Sequence, residues 1–165
     1  MDKVTMQKVE KLIYVIRGQK VMLDSDLANL YQVEVRALNQ TVKRNLARFP
    51  HDFMFQINNK ERDILRSQFV IFKMATKKRR YLPYVFTEQG IAMLSSILKS
   101  NRAIQVNISI MRTFVKIRHI LSSDETLSER LGKLEKGTNQ LFRVVFERLD
   151  SLEVNSPTLP AKKKN

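Results

Sequence analysis

The sequence has no cysteine and only two histidines, His51 and His119. Without cysteine the chain cannot form disulfide bonds or thiolate metal sites, and this composition suits a reducing cytosol. With so few imidazoles, a transition-metal site would be short of ligands. The sequence also lacks a Gly-rich phosphate loop and a nucleophile motif. We therefore expect no catalytic activity, no metal and no other cofactor.

Two pairs of carboxylates are the remaining candidates for a metal site. Asp24 with Asp26, and Glu61 with Asp63, could in principle hold magnesium. Each pair falls where a helix is predicted to begin, and acids in the first turn interact favourably with the helix dipole. We expect this structural role for both pairs.

Long apolar runs are also missing. The first residues, MDKVTMQKVEKL (1–12), lack the apolar core of a signal peptide. No later stretch approaches the length of about 20 apolar residues that a membrane span needs. Apolar residues nevertheless make up 43% of the chain, enough for a folded core. We expect a soluble, cytoplasmic protein with no membrane partner.

Acidic residues are few beside the basic ones. The chain has 30 Lys and Arg against 16 Asp and Glu, a net charge of +14. Residues 1–120 hold 22 of the bases and 9 of the acids, a balance of +13, whereas residues 121–165 hold 8 and 7. The positive charge thus belongs to the first part of the chain. It predicts a polyanionic partner, most often nucleic acid.

The apolar pattern predicts an α+β fold with a small β-sheet. Two β-rich runs surround Gly18 in LIYVIRGQKVML (12–23) and predict a hairpin, because glycine gives a tight turn its conformational freedom. Further strands are expected at FMFQI (53–57) and YLPYVF (81–86), where the proline favours an edge strand or a bulge. VIFKMATKKRR (70–80) is compatible with a loop or a strand.

Helices are predicted wherever apolar residues recur at helical spacing. The first is capped by Asp24 or Ser25 and ends near Tyr31. A helix capped by Thr87 follows the last strand. The remaining helices are expected over residues 34–48, 59–69 and 101–121. The apolar stripe assigned to the last of these, as a main part of the core, includes Ile104, Ile108, Met111 and Val115.

Residues 23–45, LDSDLANLYQVEVRALNQTVKRN, predict a helix-turn-helix. Ala28 supplies the small residue wanted where the two helices cross, and Leu38 and Val42 face the core. The opposite side of the second helix carries donors that suit base edges: arginine pairs with guanine, asparagine and glutamine pair with adenine, and lysine reaches guanine or phosphate. The predicted base-contacting residues are Arg36, Asn39, Gln40 and Lys43. A polar helix face that is merely solvated is the alternative.

A second basic cluster is predicted to contact DNA phosphates. The run KKRR (77–80) could act as a wing or arm beside the helix-turn-helix, although a solvated basic loop explains it equally well. Arg17 and Lys20 in the hairpin are weaker candidates. The predicted phosphate-binding residues are Arg44, Lys77, Lys78, Arg79 and Arg80.

The composition changes near residue 121. Residues 1–121 are predicted to form the DNA-binding domain, residues 122–154 a coiled-coil-like helix that pairs two copies, and residues 155–165 a disordered basic tail. The a and d positions of this helix are Leu127, Leu131, Leu134, Leu141, Val145 and Leu152, with Thr138 and Arg148 as polar interruptions. Gly132 and Gly137 lower helix stability by about 1 kcal/mol each. These features predict a homodimer of moderate strength.

Three stretches in order resemble a known family. They are VIRGQKVMLDSDLANLYQVEVRALNQTVKRNLARFPHDFMFQI (15–57), LPYVFTEQGIAMLSSILKS (82–100) and AIQVNISIMRTFVKIR (103–118). Together they resemble the ORF-six N-terminal domain, a bacterial and phage module related to the KilA-N and Bro-N DNA-binding domains. The resemblance implies a DNA-binding regulator of prophages or mobile elements, with no catalysis.

We therefore expect a sequence-specific reader of double-stranded DNA that controls transcription. The alternative is a protein-interaction antirepressor, which would bind and disable a repressor through the leucine-rich segment. RNA binding is less favoured, because the stacking motifs of single-strand RNA modules are absent.

Overall fold

Four short strands form one antiparallel sheet. They are β1 (Ile13–Ile16), β2 (Gln19–Leu23), β3 (Met54–Gln56) and β4 (Tyr84–Thr87), and their order in the sheet is β1-β2-β4-β3. The computed structural model describes residues 4–77 and 80–123 of the chain. Across those ranges, the sheet and its surrounding helices confirm the predicted α+β fold.

Helices cover the sheet. They are α1 (Met6–Glu10), α2 (Asp24–Tyr31), α3 (Val35–Arg44), α4 (Asn59–Gln68), α5 (Val70–Ala75), α6 (Glu88–Leu94) and α7 (Asn101–Ser123), with a 3-10 helix at Leu46–Arg48. Among the helices in these described ranges, none is both long and apolar enough to cross a membrane.

The β1–β2 hairpin closes through the two-residue turn Arg17-Gly18. Both residues have positive φ angles, 55° and 73°. This is the type I′ geometry, whose twist matches that of paired strands. Ile16 pairs with Gln19 across the turn. The predicted hairpin is confirmed, and Arg17 shares the left-handed conformation that was expected of the glycine alone.

Alternate strand residues contribute to two separate cores. On one side of the sheet, Met22 and Phe86 are buried with residues of α2, α3, α6 and α7. On the other side, Val85 is buried with Leu65 of α4 and Phe72 of α5. The sheet is therefore the middle of three layers. The α2–α3 pair lies on the side opposite α4 and α5.

Strand β4 corrects one prediction. It begins after Pro83 and lies inside the sheet between β2 and β3, so the expectation of an edge strand or a bulge at the proline is wrong. Proline lacks the N–H that a central strand must donate. Pro83 avoids the conflict by standing just outside the strand, where its carbonyl accepts a hydrogen bond from the Ile57 N–H at 3.1 Å.

Helix α5 corrects a second prediction, that of a loop or a strand over residues 70–80. Residues 70–75 are helical, neither the loop nor the strand expected there. The β-branched pair Val70-Ile71 favours a strand locally. Tertiary packing favours the helix instead. Phe72 is buried and packs edge-to-face on Tyr14, with 5.3 Å between the ring centroids.

Helix α7 contributes much of the core, as predicted, but it has apolar residues on two faces and the residues named for the core lie mostly on the exposed face. Its buried apolar residues are Ala103, Val106, Ile110, Phe114, Ile117 and Ile120. The predicted stripe is largely exposed instead: Ile104 is 46% exposed, Ile108 39% and Val115 54%. Both sets recur at helical spacing, so the pattern alone could not tell which face meets the core.

Helix α6 packs closely against the backbone of Phe53. Thr87 caps the helix as predicted, because its hydroxyl accepts a hydrogen bond from the Gly90 N–H at 3.3 Å. A Cβ atom on Gly90 would lie 2.0 Å from the carbonyl oxygen of Phe53. This contact explains why the position is glycine.

The predicted C-terminal features lie outside the described residues, which end at residue 123. They are the dimerisation helix, apart from its first residues, and the basic tail. All six predicted seam residues are among them: Leu127, Leu131, Leu134, Leu141, Val145 and Leu152.

Candidate nucleic-acid interface

Helices α2 and α3 are consecutive and are joined by a tight turn. Helix α2 ends because Gln32 adopts a left-handed conformation with φ 61°. The N–H groups of Gln32 and Val33 donate to the carbonyls of Asn29, at 3.1 Å, and Ala28, at 2.9 Å. This Schellman arrangement satisfies carbonyls at the helix end. It separates the two helices where the sequence predicted the turn.

The start of α2 differs from the prediction. Its N-cap is Leu23, and no side chain caps the helix, so the expectation of Asp24 or Ser25 as the cap is wrong. Asp24 is instead the first residue of the helix. Its Oδ1 accepts a hydrogen bond from the Ser25 N–H at 2.7 Å.

Helix α3 is amphipathic. Leu38 and Val42 are buried, as predicted. The helix ends at Arg44 and not at Arg48, because the chain tightens into the 3-10 helix, and Leu46 is left 56% exposed. The exposed polar residues on the predicted DNA-binding side of the helix are Arg36, Gln40, Lys43 and Arg44.

A groove of about 760 Å³ runs beside α3. One wall is formed by Val35 and by the four predicted base-contacting residues, Arg36, Asn39, Gln40 and Lys43. The other lining residues are Gln56 of β3, Arg80, Tyr81, Leu82 and Tyr84. The structure thus brings all four predicted base-contacting residues to one concave surface.

The groove is positively charged. Arg36, Lys43 and Arg80 line it, and none of the lining residues that the structure describes is acidic. Within residues 4–77 and 80–123, the side chains of Arg36, Gln40 and Lys43 make no hydrogen bond or ion pair. Their donors are therefore available to a ligand, and their positions are set by the helix alone.

Asn39 differs from these three residues. It is half-buried, and its Nδ2 donates a hydrogen bond to Oδ2 of Asp24 at 3.0 Å. Asp24 is fully buried. Asn39 therefore has a structural partner, which sequence reasoning did not anticipate.

The segment that forms the second wall is held by hydrogen bonds to the sheet and to α2. Gln56 Nε2 donates to the Leu82 carbonyl at 3.0 Å. The Tyr84 N–H donates to Asp24 Oδ2 at 3.4 Å. Because Asp24 also binds Asn39, one carboxylate connects the two walls of the groove.

The predicted phosphate-binding residues are spread more widely. Arg80 lines the groove, and Arg44 is exposed in the last turn of α3. Lys77 is exposed just after α5 but does not line the groove. Lys78 and Arg79 lie outside the described residues. Of the three predicted phosphate-binding residues that the structure describes, Arg80 alone lines the groove, and Arg44 lies on the same helix as the base-contacting residues.

The two weaker candidates in the hairpin have other partners. Arg17 forms an ion pair with Glu61, with 2.8 Å between Nε and Oε2, and its guanidinium lies 4.4 Å from the centroid of the Phe55 ring. Lys20 is half-buried, and burial lowers the pKa of its ammonium group. Neither arrangement favours phosphate contact.

Three of the four carboxylates considered for magnesium lie in the first turn of a helix, as expected. Asp63 is the exception, because it lies beyond the first turn of α4 and forms an ion pair with Arg62. Glu61 forms a capping box with Asn58 at the start of α4, and the hydrogen bond from Arg17 lowers the pKa of Glu61. Asp24 and Asp26 lie in the first turn of α2, as predicted. Within residues 4–77 and 80–123, no group of three or more metal-binding side chains comes together.

Sequence reasoning missed Gln56, Tyr81 and Tyr84 as groove residues. Tyr81 is 75% exposed, an unusual environment for so large an apolar ring. The predicted strand over residues 81–86 includes Tyr81, whereas β4 begins only at Tyr84. Pro83 was the sequence signal that could have revealed the position of Tyr81. A strand that begins after this proline leaves Tyr81 outside the strand, in the segment that follows the basic run KKRR (77–80).

Comparison with known proteins gives one match. The profile of a known family, described as the ORF6N domain, matches residues 11–97. The matched region contains α2, α3 and every described residue that lines the groove. No curated protein and no solved structure matches the chain.

Proposed function

This chain belongs to the ORF6N domain family, and from that premise we propose that it binds double-stranded DNA in a sequence-specific manner. The family suggests a regulatory or antirepressor role of the phage type. In our proposal α2 and α3 act as a helix-turn-helix, and α3 enters the major groove. The protein would control transcription of a phage or mobile element.

The observation that carries this proposal is the row of available donors on α3. Arg36, Gln40 and Lys43 are exposed, line one groove and have no partner among the described residues. Arginine and glutamine make bidentate hydrogen bonds to guanine and adenine in the major groove. Helix α3 is about 15 Å long, and the major groove, about 12 Å wide, admits a helix.

Phosphate contacts would flank this face. Arg44 continues the row along α3, and Arg80 stands across the groove. The exposed ring of Tyr81 next to Arg80 could pack on a sugar of the same DNA strand. We propose that Lys77, Lys78 and Arg79 extend the same contact, as a basic segment beside the recognition helix.

Two copies would bind one site. We propose that residues 122–154 pair through Leu127, Leu131, Leu134, Leu141, Val145 and Leu152. A two-fold dimer places two recognition helices on the half-sites of a palindrome.

Selection of bound duplexes from a random pool tests the proposal. The full chain should enrich a motif, and Arg36→Ala should fail to enrich the same motif. Lys60→Ala is the matched control, because it removes one positive charge from α4, on the other side of the sheet. It should enrich the wild-type motif. Enrichment of no motif by the wild-type chain would contradict the proposal.

A second candidate function is binding to a repressor protein without DNA recognition. The observation that favours it is the exposed stripe on α7, where Ile104, Ile108 and Val115 are exposed and Met111 lies between them. Apolar side chains repeated along one helix face are typical of protein contact sites. This function would give tight capture of a repressor together with no enrichment of any DNA motif.

A further inference from the structure

We infer that Asp24 is a positioning residue for base recognition, which holds the amide of Asn39 in the one orientation that can pair with adenine. This inference rests on the proposed DNA-binding function. It assigns a role to a buried carboxylate that makes no contact with the nucleic acid.

Asp24 is surrounded by donors. It is fully buried, and it accepts hydrogen bonds from the Ser25 N–H on Oδ1 and from Asn39 Nδ2 and the Tyr84 N–H on Oδ2. An ionised carboxylate can only accept hydrogen bonds. The group of Asn39 that faces Asp24 must therefore be its NH₂ and not its carbonyl oxygen.

This orientation determines which hydrogen-bonding groups of the Asn39 amide remain available in the groove. An amide NH₂ has two hydrogens, and one of them is bonded to Asp24. The other hydrogen and the carbonyl Oδ1 remain. Adenine presents the N7 acceptor and the N6 donor side by side in the major groove. One N–H and one C=O on the same amide match that pair.

If the Asn39 amide were flipped, its donor and acceptor would no longer match the N7 acceptor and N6 donor of adenine. With no acceptor to fix it, the Asn39 amide could rotate by about 180° and exchange its donor and acceptor positions. The exchanged pattern places a donor opposite the adenine N6 amine and an acceptor opposite N7. Asp24 therefore contributes to specificity through Asn39, and through the Tyr84 N–H it also fixes the opposite wall of the groove.

Asp24→Asn tests the inference. The new amide has one oxygen and one NH₂ where the carboxylate had two acceptors. Its oxygen should stay with the Ser25 N–H, which is closer at 2.7 Å than the Tyr84 N–H at 3.4 Å. Its NH₂ then faces Asn39 and favours the flipped Asn39 amide. The probe is the duplex enriched from the random pool, together with duplexes in which each base pair is replaced in turn. Asp52→Asn is the control, because it makes the same charge change in an exposed turn.

Asp24→Asn should remove the preference for adenine at one base pair, a loss of about 5- to 150-fold in discrimination. Asn39→Ala should lose the same preference at the same pair. In the Asn39→Ala background, Asp24→Asn should cause no further loss there, because the two residues act as one unit. Preferences at the other pairs should persist, and Asp52→Asn should keep them all.

Two results would overturn the inference and leave DNA binding intact. One is an Asp24→Asn variant that keeps the preference that Asn39→Ala loses. The other is an Asn39→Ala variant with unaltered preference at every pair. Absence of any preference in the wild-type chain would instead overturn the proposed function and this inference together.

If Asp24→Asn does not fold, a measurement on the wild-type protein can test whether Asp24 holds the Asn39 amide. The side-chain amide signals of Asn39 can be assigned in a nitrogen–proton NMR spectrum by their absence in Asn39→Ala. One Asn39 proton should exchange with water much more slowly than the exposed amide protons of Gln40. Equal exchange rates at the two residues would show that Asp24 does not hold the amide.

Discussion

Replacing Asn39 with alanine should destabilise the folded domain, although the residue was predicted to contact DNA. The substitution removes one donor to a buried carboxylate. Hydrogen bonds to charged groups contribute about 1.5–3 kcal/mol to stability. Alanine has the higher helix propensity and recovers up to about 0.7 kcal/mol. Because Asn39 is only half-buried, water can replace part of the contact. We expect a net loss of about 1 kcal/mol.

Gln40→Ala is the internal control for this loss. Gln40 is the next residue of the same helix, is exposed and has no partner among the described residues. Its truncation should change the free energy of unfolding by less than about 0.5 kcal/mol. Urea denaturation of both variants without DNA measures the difference. The midpoint of thermal unfolding should fall by about 4 °C for Asn39→Ala. Equal stabilities would show that the Asn39–Asp24 hydrogen bond does not support the fold.

Three further predictions follow from the charge, the packing and the C-terminal segment. The logarithm of DNA affinity, measured by fluorescence anisotropy, should fall linearly with the logarithm of salt at about 0.9 per phosphate contacted. Six contacts therefore weaken binding roughly a thousandfold between about 50 and 200 mM salt, and a flat dependence would contradict phosphate neutralisation. Gly90→Ala should lower the free energy of unfolding by about 3 kcal/mol, because its Cβ would meet the Phe53 carbonyl at 2.0 Å and backbone yields less easily than a side chain. An unchanged midpoint in urea denaturation would be inconsistent with that contact. Removal of residues 124–165 should leave a folded monomer that binds a half-site weakly. If sedimentation gave the same number of chains per particle for the full and the shortened protein, dimerisation through that segment would be refuted.

The sequence was sufficient for the features that depend on local pattern. Two β-rich runs around Arg17-Gly18 predicted the hairpin, and Leu38 and Val42 marked the buried side of α3. Thr87 was recognised as a cap because its hydroxyl suits the first turn of a helix. These signals lie within a few residues of one another, so no tertiary information was needed.

The features that depend on distant contacts could not be predicted in this way. Asn39 and Asp24 are 15 residues apart, and only the folded α2–α3 pair brings them together. The choice between the two apolar faces of α7 depends on the packing of the other helices against it. The partner of Arg17 is Glu61, 44 residues away. Exposure and pairing of polar groups are therefore set by tertiary structure.

The most direct test of α3 as the DNA-recognition helix is a base-substitution profile. Affinities of the wild-type chain, Arg36→Ala and Arg80→Ala would be measured on the selected duplex and on each of its single-pair variants. Arg36→Ala should lose discrimination at one base pair, by about 1–3 kcal/mol, and keep it elsewhere. Arg80→Ala should weaken binding to all duplexes alike and reduce the salt slope by about 1. Superimposable profiles for Arg36→Ala and the wild-type chain would contradict base recognition by this helix.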